Sequence, residues 1–163
     1  MLCDHAMRIL LMRHGEAVDA GARSDADRWL TPQGRRVTRE VSRWLAAHHR
    51  PGTVRTSPLV RAVQTAEIVM SACCLDAATV MRELALGDVA AVCAVAKTFE
   101  GPGPLCLVGH EPTLGEALVR LLRLPSAPDF AKSAVFALDR HAGEAFSLAW
   151  SLDPHALGAA VTP

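Results

Sequence analysis

Residues 8–16 read Arg-Ile-Leu-Leu-Met-Arg-His-Gly-Glu, in which four apolar residues stand between two arginines and a polar cluster follows. An apolar run of this length predicts a short buried strand over 8–13. The segment 15–30 contains two glycines and several aspartates, and we expect it to be a polar loop. A buried strand that ends in arginine and histidine is typical of a ligand site at the carboxyl edge of an open α/β sheet.

The alternation of strand and helix continues along the chain. Further short strands are predicted at 53–56, near Val80 and Met81, and at 105–108. Helical spacing begins after four N-terminal signals: Thr31 with Pro32, Ser57 with Pro58, Gly87 with Asp88, and Pro112. Pro51 and Gly52 end the first helix, and the third continues to about Phe99.

Two strand-like runs at 133–138 and 145–150 enclose a turn with a glycine, which predicts an antiparallel hairpin. Strands that alternate with helices predict an α/β fold, a three-layer α/β/α sandwich around a mostly parallel sheet with this hairpin at its edge. No linker or repeat divides the 163 residues. We therefore expect a single domain over 1–163 with a core at about 8–152, and peripheral segments at 1–6 and at 154–163, where the tail is weakly ordered.

Composition excludes several classes of protein. Half of the residues are hydrophobic and 21% are charged, which excludes a disordered chain. Lys plus Arg and Asp plus Glu both number 17, so the chain lacks the basic excess of a general nucleic-acid binder. No apolar run approaches the ~20 residues of a membrane helix, and we see no signal-peptide pattern. Five cysteines without a CxxC motif favour reduced thiols, so we expect a cytoplasmic protein. We also expect a monomer or a weak oligomer, without nucleic-acid or membrane partners.

Polar side chains follow three of the predicted strands. Arg13 and His14 follow the first, Ser57 and Arg61 follow the second, and His110 follows the strand at 105–108. Taken singly, each has a simpler explanation, because a lone histidine is more often structural and an arginine in a first helical turn is more often ion-paired. Neighbouring strands lie only ~5 Å apart, however, and nearby helix N-termini attract anions. The coincidence predicts a phosphate pocket that contains an imidazole nucleophile.

Four motifs, at 11–16, 57–67, 82–88 and 108–112, together resemble the histidine phosphatase superfamily, which also contains the cofactor-dependent phosphoglycerate mutases. The stretch Leu-Thr-Pro-Gln-Gly at 30–34 fits the same resemblance. The resemblance covers about residues 8–150 in the expected order. It implies a phosphoglycerate mutase-like fold and a phosphatase that needs neither a metal nor another cofactor.

The resemblance also implies roles for individual residues. His14 would be the nucleophile that becomes phosphorylated, and Arg13 and Arg61 would bind the phosphoryl oxygens. His110 would stabilise the transferring group, and Glu83 stands where the family has its proton donor. Ser57 is a further candidate for phosphate binding. These roles suit the chemistry, since phosphoryl transfer depends mainly on positioning and on neutralising the equatorial oxygens.

Two departures from the family pattern bear on the substrate. Many members have an asparagine six residues after the nucleophile, where this chain has Ala20. The segment between Glu83 and His110 is filled by one predicted helix, a Gly/Pro loop and a strand, which leaves no residues for a lid. A pocket without a lid accepts a phosphoryl group that projects from a large substrate such as a protein. The short chain without insertions also resembles the SixA-type phosphohistidine phosphatases.

The predicted substrate is therefore phosphohistidine on a partner protein, such as a phosphotransfer domain. A small phosphorylated substrate and a phosphate-binding module with weak catalysis remain alternatives. Other phosphatase classes are disfavoured, since no cysteine is followed by arginine six positions later and no P-loop is present. Two Asp-x-His pairs, at 139–141 and 153–155, fall in a predicted turn and in the tail, so we expect no catalytic metal.

Overall fold

The structure is a computed structural model that describes residues 7–21, 24–141 and 145–159. Its strands are β1 (Met7–Arg13), β2 (Thr53–Thr56), β3 (Thr79–Val80), β4 (Leu105–Gly109), β5 (Val135–Arg140) and β6 (Phe146–Leu152). Its α-helices are α1 (Pro32–His48), α2 (Val60–Cys73), α3 (Glu83–Leu86), α4 (Val89–Thr98), α5 (Thr113–Leu122) and α6 (Pro154–Ala159). A 3₁₀ turn spans Asp25–Asp27.

The six strands form one sheet in the order β3-β2-β4-β1-β5-β6. The first four strands of that order are parallel to one another, and β5 is antiparallel to both β1 and β6. The predicted mostly parallel sheet with an antiparallel C-terminal hairpin is confirmed. Because β1 lies between β4 and β5, the first strand of the sequence becomes a central strand of the sheet.

Alternate residues of β1 face two different helical layers. Ile9 and Leu11 pack with buried residues of α3, α4 and α5, whereas Leu10 and Met12 pack with α1 and α2. All four are completely buried. A strand covered on both faces needs apolar residues at every position, which explains the uninterrupted run that the sequence shows there.

Local signals fix several helix starts as predicted. The Thr31 hydroxyl accepts a hydrogen bond from the Gly34 amide at 2.9 Å, and Pro32 is the first residue of α1. Asp88 caps α4 by accepting from the Ala91 amide. These side chains satisfy amide groups that have no partner within the helix.

Other elements differ from the prediction. Helix α2 begins at Val60 rather than directly after Ser57 and Pro58, because the Ser57 hydroxyl accepts from the Leu59 amide ahead of the helix. The short helix α3 was not predicted, and four residues are too few to show a helical period. The hairpin strands begin and end one or two residues later than predicted.

The expectation of a weakly ordered tail from residue 154 is wrong for the part of the tail that the structure describes. Residues 154–159 form α6, and Leu157 packs against the core cluster that α1 and α2 share. One apolar side chain in a short polar segment gives no periodic signal, so only the tertiary contact shows it. The predicted peripheral residues 1–6 and 160–163 lie outside the described residues.

No helix within the described part of the chain has both the length and the apolar character needed to cross a membrane. The four described cysteines, Cys73, Cys74, Cys93 and Cys106, are free thiols. Cys106 lies in β4, and burial raises the pKa of its thiol to about 12. This thiol therefore serves as a small apolar side chain of the core.

The central position of β4 predicts the stability of a matched pair of variants. We expect Leu107→Ala to lower the free energy of unfolding by about 2–5 kcal/mol, because it removes a fully buried side chain from the core cluster that contains residues of α4 and α5. Leu86→Ala, at a site that is 80% exposed, should change it by less than about 0.5 kcal/mol. Urea denaturation measures both, and equal losses would contradict the assignment of β4 to the core.

Candidate active site

The register of β1 and β4 brings two histidines together. Arg13 pairs with Gly109 at the ends of the two parallel strands, so His14 and His110 emerge side by side at the carboxyl edge. The two ring centroids lie 5.0 Å apart. The His14 amide also donates to the Gly109 carbonyl at 3.0 Å, which extends the ladder by one residue.

The hydrogen bonds of the His14 ring determine where its proton lies. Nδ1 is 2.6 Å from the carbonyl oxygen of Gly15, and a carbonyl can only accept, so Nδ1 carries the hydrogen. In the neutral ring Nε2 then has a free lone pair. The Nε–H of Arg61 donates to this lone pair at 3.3 Å. The ring is thus held with its unprotonated nitrogen towards a guanidinium.

Gly15 is required for this arrangement by close packing. A Cβ at Gly15 would lie 2.5 Å from the hydroxyl oxygen of Thr38, a buried residue of α1. The Gly15 amide also donates to the Thr65 hydroxyl at 3.0 Å. Any larger residue would push the backbone away from α1, and the carbonyl that orients His14 would move with it.

Both histidines are neutral because they are buried. His14 is 7% exposed, and burial lowers the pKa of its imidazole to about 3. The hydrogen bond to Gly15 opposes this shift, whereas the positive charges around the ring add to it. Burial, followed by the charge of nearby Arg61, lowers the pKa of His110 to about 4. At neutral pH His14 therefore has the free electron pair that a nucleophile needs.

Unsatisfied polar atoms mark this edge of the sheet as a ligand site. Among the described residues three buried side-chain nitrogens have no hydrogen-bond partner: Arg13 Nε, His110 Nδ1 and Trp150 Nε1. Two of the three belong to the predicted pocket. Because buried polar groups are almost always paired, these two nitrogens indicate where a polar ligand binds.

One other side-chain nitrogen of each of these two residues has a partner that fixes the side chain. Arg13 donates from one terminal nitrogen to the Phe130 carbonyl at 2.7 Å. His110 Nε2 and the Ser57 hydroxyl share a hydrogen bond of 2.7 Å. Ser57 therefore positions His110, and the structure brings Arg13, His14, Ser57, Arg61 and His110 together as predicted.

Asp25 is the residue of this site that the sequence did not reveal. The Arg61 guanidinium donates to the backbone carbonyl of Asp25 at 2.7 Å and to its carboxylate at 2.9 Å. Arg61 stands in the first turn of α2, where the helix dipole disfavours a cation, and this ion pair compensates for that position. The position of Arg61 in a first helical turn predicted an acidic partner, but the sequence could not show which aspartate of the loop provides it.

Arg28 holds Asp25 in place from the other side. It donates to the Asp25 carboxylate at 2.9 Å and to the Val18 carbonyl at 2.7 Å. Hydrogen bonds from Arg28 and then Arg61 hold the pKa of Asp25 below its usual range. A charged carboxylate therefore lies on the guanidinium proposed to bind phosphate. Ala20, in the same loop, offers no polar side chain.

Glu83 belongs to a segment that packs beside the end of β4. It is half-buried and opens α3, and Leu84, the next residue, packs beside Gly109 at the end of β4. In the part of the chain described, no hydrogen bond or ion pair links the Glu83 carboxylate to the two histidines. Burial raises the pKa of a second carboxylate, Glu111, but this group accepts from the Gly115 amide at the start of α5.

The two Asp-x-His pairs have other roles. Asp139 accepts two hydrogen bonds from Arg8, at 2.8 and 2.9 Å. His141 shares a hydrogen bond with Ser147, and Asp153 accepts from the His155 amide. No three His, Cys, Asp or Glu side chains among the described residues are grouped so that they could hold a metal ion.

The contact between Asp25 and Arg61 predicts competition with anions. We expect Asp25→Asn to bind inorganic phosphate about threefold more tightly, the size of one partly exposed ion pair, because a negative charge leaves the guanidinium. Isothermal titration with phosphate measures this. Asp27→Asn makes the same charge change two residues away and is the control. Weaker binding in Asp25→Asn alone would contradict competition and would show that Asp25 holds Arg61 in position.

Comparison with known proteins agrees with this geometry. The phosphohistidine phosphatase SixA of Escherichia coli (strain K12) is 34% identical over 157 residues, which cover 91% of this chain and 94% of SixA. An uncharacterized protein of Picosynechococcus sp. is 40% identical over 116 residues, 68% of this chain and 70% of that protein. The structure of the protein histidine phosphatase SixA complexed with tungstate matches with a TM-score of 0.84 at 32% identity, over 93% of this chain and 99% of that one.

The sequence model of one family matches more than half of the chain. It describes the histidine phosphatase superfamily (branch 1), and it matches residues 9–95, which include His14 and Arg61. The similarity to SixA extends this match through β4 to the C-terminal hairpin. The predicted family and fold are confirmed: this chain is a phosphatase and belongs to branch 1 of the histidine phosphatase superfamily.

Proposed function

We propose that this phosphatase removes the phosphoryl group from phosphohistidine in a protein and that it works through a phosphorylated His14. The observation that carries the proposal is the orientation of the His14 ring. Its Nδ1–H is occupied by the Gly15 carbonyl, while Nε2 keeps an electron pair beside the Arg61 guanidinium. A neutral imidazole held in this way is a nucleophile with an anion-binding group next to it.

The reaction divides into two transfers. In the first, the electron pair on His14 Nε2 forms a bond to phosphorus while the bond between phosphorus and the substrate imidazole breaks. The departing nitrogen keeps that electron pair and takes up a proton. In the second, water attacks the phosphorus of phosphorylated His14, the P–Nε2 bond breaks, and inorganic phosphate leaves. The enzyme regains its neutral imidazole.

Three side chains would stabilise the transferring group. Arg13 and Arg61 neutralise its equatorial oxygens, and the unpaired Nε of Arg13 is one free donor for them. His110, held by Ser57, brings the unpaired Nδ1 to the same edge. Fixed donors in a buried site contribute most of the rate acceleration in such transfers, because they need no reorganisation.

The substrate assignment has two supports. All of residues 83–110 are described, and they form α3, α4, a loop and β4, so that this segment contributes no cover above the histidines. The relative with 34% identity over nearly the whole chain is named a phosphohistidine phosphatase. A site that residues 83–110 leave open suits a phosphoryl group carried on the surface of a protein.

Glu83 is the proposed proton donor, and within the described residues its carboxylate has no hydrogen bond to either histidine, which fits a minor role in the phosphohistidine reaction. Phosphohistidine has a nitrogen leaving group and a bond that is already activated. A carboxylic acid matters more when an alkoxide must leave. We therefore propose that Glu83 reaches the leaving group only when a bound substrate approaches it.

A phosphoenzyme should be trapped on His14. We expect radiolabelled phosphoramidate to give a labelled protein whose bond is stable in alkali and labile in acid, as a phosphoramidate bond is. His14→Ala should abolish the label, whereas His48→Ala, at an exposed position on α1, should retain it. Labelling that survives in His14→Ala would exclude His14 as the nucleophile.

Substitution of Glu83 should separate two classes of substrate. We expect Glu83→Gln to lower kcat for a phosphomonoester with a poor leaving group by about 100-fold, and kcat for phosphoramidate by less than about threefold. Steady-state kinetics with both substrates provide the test, and Glu100→Gln at an exposed position is the control. Equal losses for both substrates would contradict the role of a proton donor.

A further inference from the structure

A groove lined by arginines lies between α1 and α2. Arg35, Arg39 and Arg43 recur every four residues and therefore share one face of α1. They form one wall of an open groove of about 400 Å³, which we name the arginine groove. The side of the groove that α2 provides consists of Gln64, Glu67, Ile68, Ser71 and Ala72.

The charge of the arginine groove is not neutralised within the described residues. None of the three arginine side chains has a hydrogen bond or an ion pair there, and Glu67 is the one acidic residue in the lining. Like charges four residues apart destabilise a helix by about 0.2–0.5 kcal/mol per pair. The three arginines therefore lower the stability of α1. The helix does not need them in order to pack on the core, because Val41 and Leu45 on its other side provide that contact.

The arginine groove begins beside the phosphoryl site. Gln64 is one helical turn beyond Arg61 on α2, and its side chain accepts from the Leu30 amide at 2.8 Å. At a rise of 1.5 Å per residue, the lining of α2 extends from about 4.5 to about 16 Å beyond Arg61 along the helix axis. On the other side, the Thr31 amide ahead of α1 donates to the Glu16 carbonyl, two residues after His14.

We propose that the arginine groove binds an acidic segment of the phosphorylated protein and so aligns its phosphohistidine with His14. This inference rests on the proposed function, which it extends from the phosphoryl group to the body of the substrate. The arginines follow one another at intervals of about 6 Å along α1, the interval at which carboxylates four residues apart follow one another on a second helix. Charge complementarity of this kind fixes orientation and accelerates association.

The test uses synthetic helical peptides that carry one phosphohistidine. In one pair of peptides, glutamates stand four, eight and twelve residues after the phosphohistidine in the first peptide, and glutamines take their places in the second. Another pair places the same residues before it, so that both chain directions are tested. Phosphoramidate is too small to contact the groove while its phosphorus is at His14, so it reports on the chemistry alone.

The decisive variant is Arg39→Glu with Arg43→Glu, both at exposed positions. We expect this variant to lower kcat/KM for the better glutamate peptide at least about tenfold, because attraction becomes repulsion at two contacts. The kcat/KM for phosphoramidate should change less than about twofold. Arg36→Glu with Arg120→Glu is the control. It makes the same net charge change at exposed helical positions outside the groove and should change kcat/KM less than about threefold.

The outcomes separate this inference from the function on which it rests. Hydrolysis of glutamate and glutamine peptides at equal rates, or equal losses in the two double variants, would overturn the docking role and leave the proposed function intact. Failure to hydrolyse any phosphohistidine peptide, with rapid turnover of small phosphomonoesters, would overturn both. If the wild type is a dimer, and if Arg39→Glu with Arg43→Glu dissociates it while the control variant does not, the groove binds a second copy of the chain. That result would also overturn the docking role.

Discussion

The hydrogen bond from His14 Nδ1 to the Gly15 carbonyl is the constraint on which the site depends. This buried hydrogen bond of 2.6 Å joins two consecutive residues, and it fixes both the tautomer and the orientation of the imidazole ring. Its geometry requires a residue without a side chain at position 15, because α1 packs directly against that backbone. The same burial keeps the imidazole neutral, so packing, tautomer and nucleophilic character have a single origin.

The sheet supplies the other half of the arrangement. Parallel strands β1 and β4 end in register, so two residues more than ninety positions apart in sequence become neighbours at one edge. Helix α2 begins at that edge, and its first turn brings Arg61 against the His14 ring. Asp25 balances the guanidinium from the loop. The charge of Arg61 is therefore balanced by a carboxylate, whereas Arg13 is held by a backbone carbonyl and keeps its positive charge for an anion.

Sequence reasoning was most successful where a signal was local or belonged to a strand end. The run at 8–13 predicted a short buried strand, and the strand ends predicted which side chains meet. It failed where a residue acts through distant contacts: Asp25 is one of several loop aspartates, and Leu157 is one apolar residue in a polar tail. Ser57 illustrates both results, since it lies in the site as predicted, but it does so by bonding His110 rather than by capping α2.

The state of the His14 ring is the central claim, and nitrogen-15 NMR of the imidazole tests it most directly. At about pH 6, where an unperturbed imidazole is mostly protonated, the account predicts a neutral ring with hydrogen on Nδ1 and none on Nε2. Because the folded pKa is lowered, a second proton should bind only near pH 3. A ring that is protonated on Nε2 at about pH 6 would contradict the account, since His14 would then have no electron pair with which to attack phosphorus.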